Sequence, residues 1–251
     1  MVAMIVGNGQ LAKIFSSYNS KDVCIFASGV SNSRCKDNKE FWREADLLME
    51  TIKQNPEKIM IYFSSCALSA PEYDLNEYYL HKLNMENLIK NNVKKYFIFR
   101  VPQLFGELKE HTTIINYLYF SILHKKKITL YDDAYRYVLD IRDLKKIVKA
   151  ILSNASPNIT IDLANPYRYS IKEIVSICEK ILNQSANAEV IQHVDKYLLN
   201  LDEMDKFLDE HQVKLGFSEK YLEEKLSDYH ERLSQQLSEN KDKGKDIVLT
   251  D

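Results

Sequence analysis

Two residues one helical turn apart carry the first chemistry that the sequence offers. Tyr78 and Lys82 lie four apart in a stretch with helical patterning, so they share one face of a helix. A phenol titrates near ~10 and is a poor acid–base at neutral pH. An ammonium one turn away favours the phenolate and brings that pKa toward the working range. Upstream, the apolar run Ile59-Met60-Ile61-Tyr62-Phe63 reads as a buried strand that stops at Ser64-Ser65-Cys66. At such a strand end the hydroxyl of Ser65 or the thiol of Cys66 could hold a substrate oxygen against the phenol. The plainer alternative is a Tyr and a Lys packed side by side on a surface helix. The small polar strand end shifts the balance away from it.

The elements that must position these groups follow in alternation. Val2-Ala3-Met4-Ile5-Val6 reads as a strand, and Gly7-Asn8-Gly9-Gln10-Leu11-Ala12 leads from it into a helix ending near Tyr18. In this Gly-x-Gly-x-x-Ala turn, Gly7 permits the tight bend and Gly9 lets a pyrophosphate approach the backbone. Ala12 allows close helix–strand packing. A second strand over residues 22–26 ends in Ala27-Ser28-Gly29, small residues that let a bound group pass close or simply lead into a glycine turn. A helix over residues 40–54 precedes the Ile59 strand, with Phe41, Ala45, Leu48, Met49 and Ile52 at helical spacing. After the Tyr78 helix, a strand over residues 95–100 runs into Val101-Pro102-Gln103. This alternation predicts an α/β fold with a doubly wound parallel sheet, Rossmann-like but shortened, whose ligands sit beyond the carboxyl ends of the strands. The Gly7 turn, Ala27-Ser28, Ser64 to Cys66 and Val101 to Gln103 then converge on one cleft.

Further along, Ile128 to Tyr131 reads as a short strand, Asp132-Asp133 as a turn, and residues 135–141 as extended. Asp143 is expected to cap a helix over 144–152, and Ser170 one over 171–182. Residues 1–236 are read as one domain with a small C-terminal substrate lobe at about 107–135 and 164–236. Residues 237–251 hold too little apolar content to pack and are expected to be disordered.

Composition excludes some classes. The net charge of −2 over 251 residues gives no field for nucleic acid. Four cysteines lack metal-type spacing, so reduced thiols and no metal are expected. No apolar run approaches the ~18 residues of a membrane span, and no secretory leader is seen, so a cytoplasmic protein that binds no membrane is expected.

Taken in order, these motifs resemble the extended short-chain dehydrogenase/reductases, the NAD-dependent epimerase/dehydratase family that modifies nucleotide sugars. The likeness covers roughly residues 2–235. It makes Gly7 to Ala12 the glycine turn, and Ala27, Ser28 and Gly29 the end of the family's fourth strand over the cofactor. Ser64, Ser65 and Cys66 become the catalytic strand end, and Tyr78, Lys82 and Glu86 the active-site helix. Val101 and Gln103 face the nicotinamide and the sugar, and Arg136 meets the substrate diphosphate. The resemblance implies NAD or NADP as cofactor, a nucleotide-sugar substrate, a homodimer and a place in cell-surface polysaccharide biosynthesis. Tyr78 would be the acid–base, Lys82 would lower its pKa and hold the nicotinamide ribose, and Ser65 or Cys66 would orient the sugar oxygen.

The departures are specific. The first helix runs straight into the fourth-strand motif, so the family's second and third strands are missing, and with them the residue that reads the adenosine ribose. Cys66, a weaker donor than a hydroxyl, stands at the Ser/Thr position. Ala67-Leu68 replaces the acidic pair of the dehydratases, which sets dehydration aside. A 4-keto-sugar reductase or an epimerase fits, the reductase being favoured because the small C-terminal part leaves less room for a sugar to rotate. The alternative is a non-catalytic relative, a binding or partner subunit that has lost its grip on the cofactor. Arg136 has its own alternative, a surface pair with Asp132 or Asp140.

Overall fold

The structure is a computed structural model that describes residues 2–71, 73–109, 111 and 113–242, with 240–242 by backbone alone. The chain divides into two compact units. The described residues within 1–102, 141–164 and 197–214 make the first, and those within 103–140, 165–196 and 215–251 make the second.

The first unit is built on a 5-stranded parallel sheet. Its strands are β1 (Met4–Val6), β2 (Val23–Phe26), β3 (Ile59–Ser65), β4 (Tyr96–Val101) and β7 (Ile159–Asp162). All four residues of β2 are buried, and so are Met60 to Ser64 of β3, the continuous burial that a sheet covered on both faces requires. One face packs α2 (Asn38–Gln54) and α3 (Glu77–Asn92). There Leu48, Ile52, Met85 and Ile89 close over Cys24, Phe26, Met60, Tyr62 and Ile98. Asp37 caps α2 by accepting from Lys39 N at 2.9 Å, and Asn76 caps α3 by accepting from Tyr79 N at 3.1 Å. On the other face, Phe15 of α1 (Gln10–Phe15) stacks on Phe63 at 5.7 Å, and Phe63 sits 6.0 Å from Phe99. Phe15 is fully buried, worth roughly 1.5–3 kcal/mol by area.

The α/β class and the Rossmann-like parallel sheet with helices on both faces are those expected, and the strand order runs one way across it. Strand order is β1-β2-β3-β4-β7, so β1 is an edge strand paired directly with β2. The expected gap is therefore physical: nothing among the described residues stands where a second and third strand would extend the sheet. The steps β1→β2 and β2→β3 go the same way across the sheet, yet α1 and α2 lie on opposite faces. Their crossovers therefore have opposite hands. Right-handed crossovers make up about 98% of cases. The α2 and α3 crossovers share one hand, which makes the α1 crossover the exceptional one. α1 is the helix that reaches β2 without the missing strands.

In the second unit β6 (Lys127–Asp140) is the organising strand. It pairs in parallel with β5 (Gln103–Phe105) and β9 (Asn187–Asp195), and antiparallel with β8 (Arg168–Ser170). Asp132-Asp133 is not a turn: the strand passes through it with a register shift between Tyr131 and Asp133 against β9. Helices α4 (Ile114–Leu123), α6 (Ile171–Leu182) and α8 (Tyr221–Asp242) belong to this unit. Ser170 caps α6 with Glu173 in a reciprocal capping box, as expected.

Three further expectations shift. Asp143 is no cap, since α5 (Ile141–Asn154) of the first unit begins before it and Asp143 is buried, bonded by Lys146 at 2.8 Å. α7 (Asp202–Glu210), unforeseen from sequence, belongs to the first unit and not to a C-terminal lobe. Residues 237–242 of the expected disordered tail are helical, and 243–251 lie outside the described residues. No described helix is long and apolar enough to cross a membrane.

Gly7 has φ +123°, and a Cβ there would lie 2.5 Å from the Ala27 carbonyl oxygen. Gly7→Ala is expected to cost on the order of 2 kcal/mol or more through strain and backbone clash. Gly9 has φ −72°, and a Cβ there would meet nothing within 4 Å. Gly9→Ala should therefore stay within about 1 kcal/mol of the parent. Chemical denaturation of the two variants checks this; equal stabilities would contradict the close approach of the Gly7 turn to β2.

Candidate functional site

The carboxyl ends of β1 to β4 bring several of the sequence-predicted residues to one edge of the sheet. The glycine turn is fixed to β2 by Ala27 N donating to Val6 O at 2.8 Å. Gly7, Asn8 and Gly9 are exposed, Gln10 and Leu11 half-buried, and Ala12 is buried against the sheet. Ser28 lies near Arg43, whose Nη1 is 3.4 Å from its hydroxyl. Gly29 is fixed more tightly, for a Cβ there would lie 2.6 Å from Lys82 Nζ and 3.0 Å from Glu44 Oε1.

Lys82 is the centre of the site, with only 3% of its side chain exposed. Its ammonium lies 3.0 and 3.3 Å from the two Glu44 carboxylate oxygens and 3.1 Å from Tyr62 Oη. Glu44 is fully buried and accepts also from Val30 N at 2.6 Å and Tyr62 Oη at 2.7 Å, while His81 Nε2 stands 3.1 Å from it. Burial works against the charge on Glu44. Lys82 and the hydrogen bonds from His81, Val30 and Tyr62 outweigh it and hold the carboxyl down to about 2. Burial in turn lowers the pKa of Lys82, with Glu44 opposing.

Tyr78 shares the helix face with Lys82 as expected, and the ammonium sits over its ring, 5.7 Å from the centroid. The electrostatic outcome differs from the expectation. Burial pushes the Tyr78 phenol up, and Tyr79, Glu44 and Cys66 add to the rise. The first physical reason is burial of the phenol; Glu44, which pairs with the Lys82 ammonium, adds to it. The Tyr78 ring packs with Tyr79 at 5.1 Å in a cluster that includes Val30, Phe41 and Ala67.

Cys66 opens a 3-10 turn over Cys66–Ser69 and is buried, its Sγ 3.4 Å from Tyr197 Oη. Burial pushes the thiol up to about 12, so it is neutral near pH 7. Ser65 is half-buried and its Oγ accepts from Ala67 N at 3.4 Å as the cap of that turn. Ser64 is buried. Beside it, Glu86 is gripped by Arg100 through two bonds of 2.8 Å. Arg100 Nη1 continues to Ser69 Oγ at 2.9 Å, which donates to Asp162 at 2.5 Å. Burial pushes the Asp162 carboxyl up to about 6, against the pull of Ser69 and Arg100.

Val101 ends β4 in the first unit, whereas Gln103 begins β5 in the second, paired with Val138. Arg136, also in the second unit, pairs with the Asp195 carboxylate and donates to the Asp195 and Tyr135 carbonyls at 2.9 and 2.8 Å. Its ion-pair partner is Asp195, not Asp132 or Asp140.

Sequence reasoning passed over Glu44, Tyr62 and His81. For Glu44 the signal was present, because it falls in the stripe Phe41, Glu44, Leu48, Ile52 that α2 buries. A carboxylate on the apolar face of a helix calls for a buried cation.

No protein-family model matches the sequence, and no curated protein matches it. Solved structures do match by fold. A UDP-glucuronic acid 4-epimerase from Bacillus cereus, in complex with UDP-glucuronic acid and NAD, matches at TM-score 0.67 and 20% identity over 90% of this chain and 79% of that one. A dTDP-glucose 4,6-dehydratase from Bacillus anthracis, in complex with NAD, matches at TM-score 0.66 and 16% identity, covering 85% and 74%. A UDP-glucose 4-epimerase from Thermus thermophilus, in complex with NAD, matches at TM-score 0.64 and 11% identity, covering 84% and 78%. The chain thus has the fold of the NAD-dependent nucleotide-sugar epimerases and dehydratases, the family its motifs resemble.

The Glu44 pKa lies below its ordinary 4.5, so its stabilising contribution is present above that value and is lost as pH falls toward about 2. The urea midpoint of the parent should drop across this window, and a Glu44→Gln variant should drop less. Parallel pH profiles would remove Glu44 from its role as a buried anion.

Proposed function

We propose that the protein binds NAD or NADP and is an oxidoreductase of a nucleotide-activated sugar, a 4-keto-sugar reductase or an epimerase. The observation that carries this reading is the gathering of Tyr78, Lys82 and Cys66 at the carboxyl edge of a parallel sheet of this fold. The NAD and UDP-glucuronic acid named for its structural relatives support the cofactor and substrate class. The glycine turn fits a cofactor: Gly7 is bent back on Ala27, and Gly9 faces open space. When bound, the nicotinamide supplies hydride transfer. Tyr78 exchanges a proton with the sugar oxygen, Ser65 or Cys66 orients that oxygen, and Lys82 holds the nicotinamide ribose. Ala27, Ser28, Gly29, Ser64, Val101 and Gln103 line the cofactor in this reading. Arg136 takes the substrate diphosphate by exchanging it for Asp195. A cytoplasmic homodimer acting in polysaccharide biosynthesis completes the proposal; exposed Trp42 and Leu80, on α2 and α3, are apolar surface that a second copy could cover.

One observation favours a second reading, a non-catalytic binding or partner subunit. Lys82 directs its donors at Glu44 and Tyr62, and the Tyr78 phenol is pushed up instead of down.

NADH and NADPH titration by fluorescence and thermal shift, followed by turnover with UDP-, GDP- and dTDP-sugars, separates the two. The enzyme reading expects saturable binding with a raised melting temperature. Tyr78→Phe should then lower turnover by roughly 10²–10⁴ with cofactor affinity intact, and Lys82→Met should lose both. A parent protein that binds a nucleotide sugar without any turnover belongs to the second reading.

A further inference from the structure

The buried carboxylate of Glu44 occupies the groups that a ligand of this site would need. An ammonium has three protons and no acceptor. The Lys82 nitrogen lies 3.0 and 3.3 Å from the two Glu44 oxygens and 3.1 Å from Tyr62 Oη, so its bonding is turned to that side. A hydroxyl pair of a bound ribose would have to compete with a charged acceptor for this ammonium. Access is closed as well, because the Gly29 backbone lies directly against both partners. The next residue seals the pair, with Val30 N donating to Glu44 at 2.6 Å.

Glu44 is itself saturated. Val30 comes from the loop after β2, Tyr62 from β3, and His81 and Lys82 from α3. A carboxylate with this many donors is held as an anion, and an anion beside Lys82 is a stronger acceptor than any neutral hydroxyl. A ligand hydroxyl can reach Lys82 only in molecules where the Glu44 contact has opened. Apparent affinity then falls by the fraction of molecules that are open.

We infer that Glu44 is a positioning residue that sets the cofactor affinity of this site by competing, as an internal ligand, for Lys82. The inference rests on the proposed cofactor role of Lys82 and adds a residue that works against binding. A purely structural Glu44 makes the opposite forecast: its removal would loosen the Val30 loop and weaken every ligand.

The test is NADH and NADPH titration of the full chain and of Glu44→Gln, Glu44→Asp and, as control, Glu50→Gln on the exposed side of α2. Glu44→Gln keeps the shape and removes the charge, and should bind about tenfold tighter or more, as expected when a charged competitor becomes a neutral one. Glu44→Asp keeps a charge for Lys82 but is one methylene short of reaching all its partners, so its affinity should fall between. Glu50→Gln should match the parent. A folded Gln or Asp variant with parental or weaker affinity overturns the inference. So does failure of both variants to fold, which would assign Glu44 to the core alone. Binding by Glu44→Gln but not by the parent supports the inference and removes the catalytic reading of the parent. Binding by the parent with no gain in the variants leaves that reading standing and removes the inference. No binding by any of them removes both.

Discussion

Glu44 and Lys82 meet 3.0 Å apart in the interior of the sheet unit, the one with no exposed surface and the other with 3%. Either ion alone in that place would cost several kcal/mol in lost hydration. Together they are tolerable because every remaining polar valence is met, by Val30 N, Tyr62 Oη and His81 Nε2. The pair therefore does more than neutralise charge. It ties the loop after β2, helix α2, strand β3 and helix α3 at a single point, beside the Tyr78 ring. Gly29 lies directly against it, and Glu44 adds to the rise that burial gives the phenol. A second grip of the same kind, Glu86 with Arg100, holds α3 to β4 one helical turn further on.

The shortened sheet explains why so much rests on this point. With β1 at the edge, the glycine turn has a neighbouring strand on one side only. The α1 crossover has the opposite hand to those of α2 and α3, and α1 itself has just 6 residues. Its anchorage includes the Phe15–Phe63 stack, the packing of Gly7 on Ala27 and the backbone bond from Ala27 N to Val6 O. The polar side of the site is organised instead from the opposite face, by α2 and α3. The sheet ends at β1, and its charged network lies on the face that α2 and α3 cover.

This division also bears on chemistry. Proton transfer at neutral pH asks for a phenol brought down by an uncompensated cation. Here the cation is compensated and the phenol is buried, so both effects raise its pKa. The Cys66 thiol, neutral and near Tyr197, adds a weak donor to the same place. Tyr78, Lys82 and Cys66 are brought together, and the charge balance around them is set by Glu44.

Much of the first unit was legible in the sequence, because its signals are local. Runs of branched and aromatic residues marked β2, β3 and β4, Gly7-x-Gly9 marked the turn, and four-residue spacing put Tyr78 and Lys82 on one helix face. Even the missing strands could be read, from the order of the motifs. What the sequence left open were choices between partners far apart in the chain. Lys82 pairs with a carboxylate 38 residues away and Arg136 with one 59 residues away, and no local pattern ranks those partners above Tyr78 or Asp132. Asp132-Asp133 looks like a turn until β9 pairs alongside and carries the strand through. Local propensity depends on neighbours along the chain and sets the elements. The partner of a buried charge depends on desolvation and on which groups the packed fold brings within about 3 Å, and only the tertiary structure decides that.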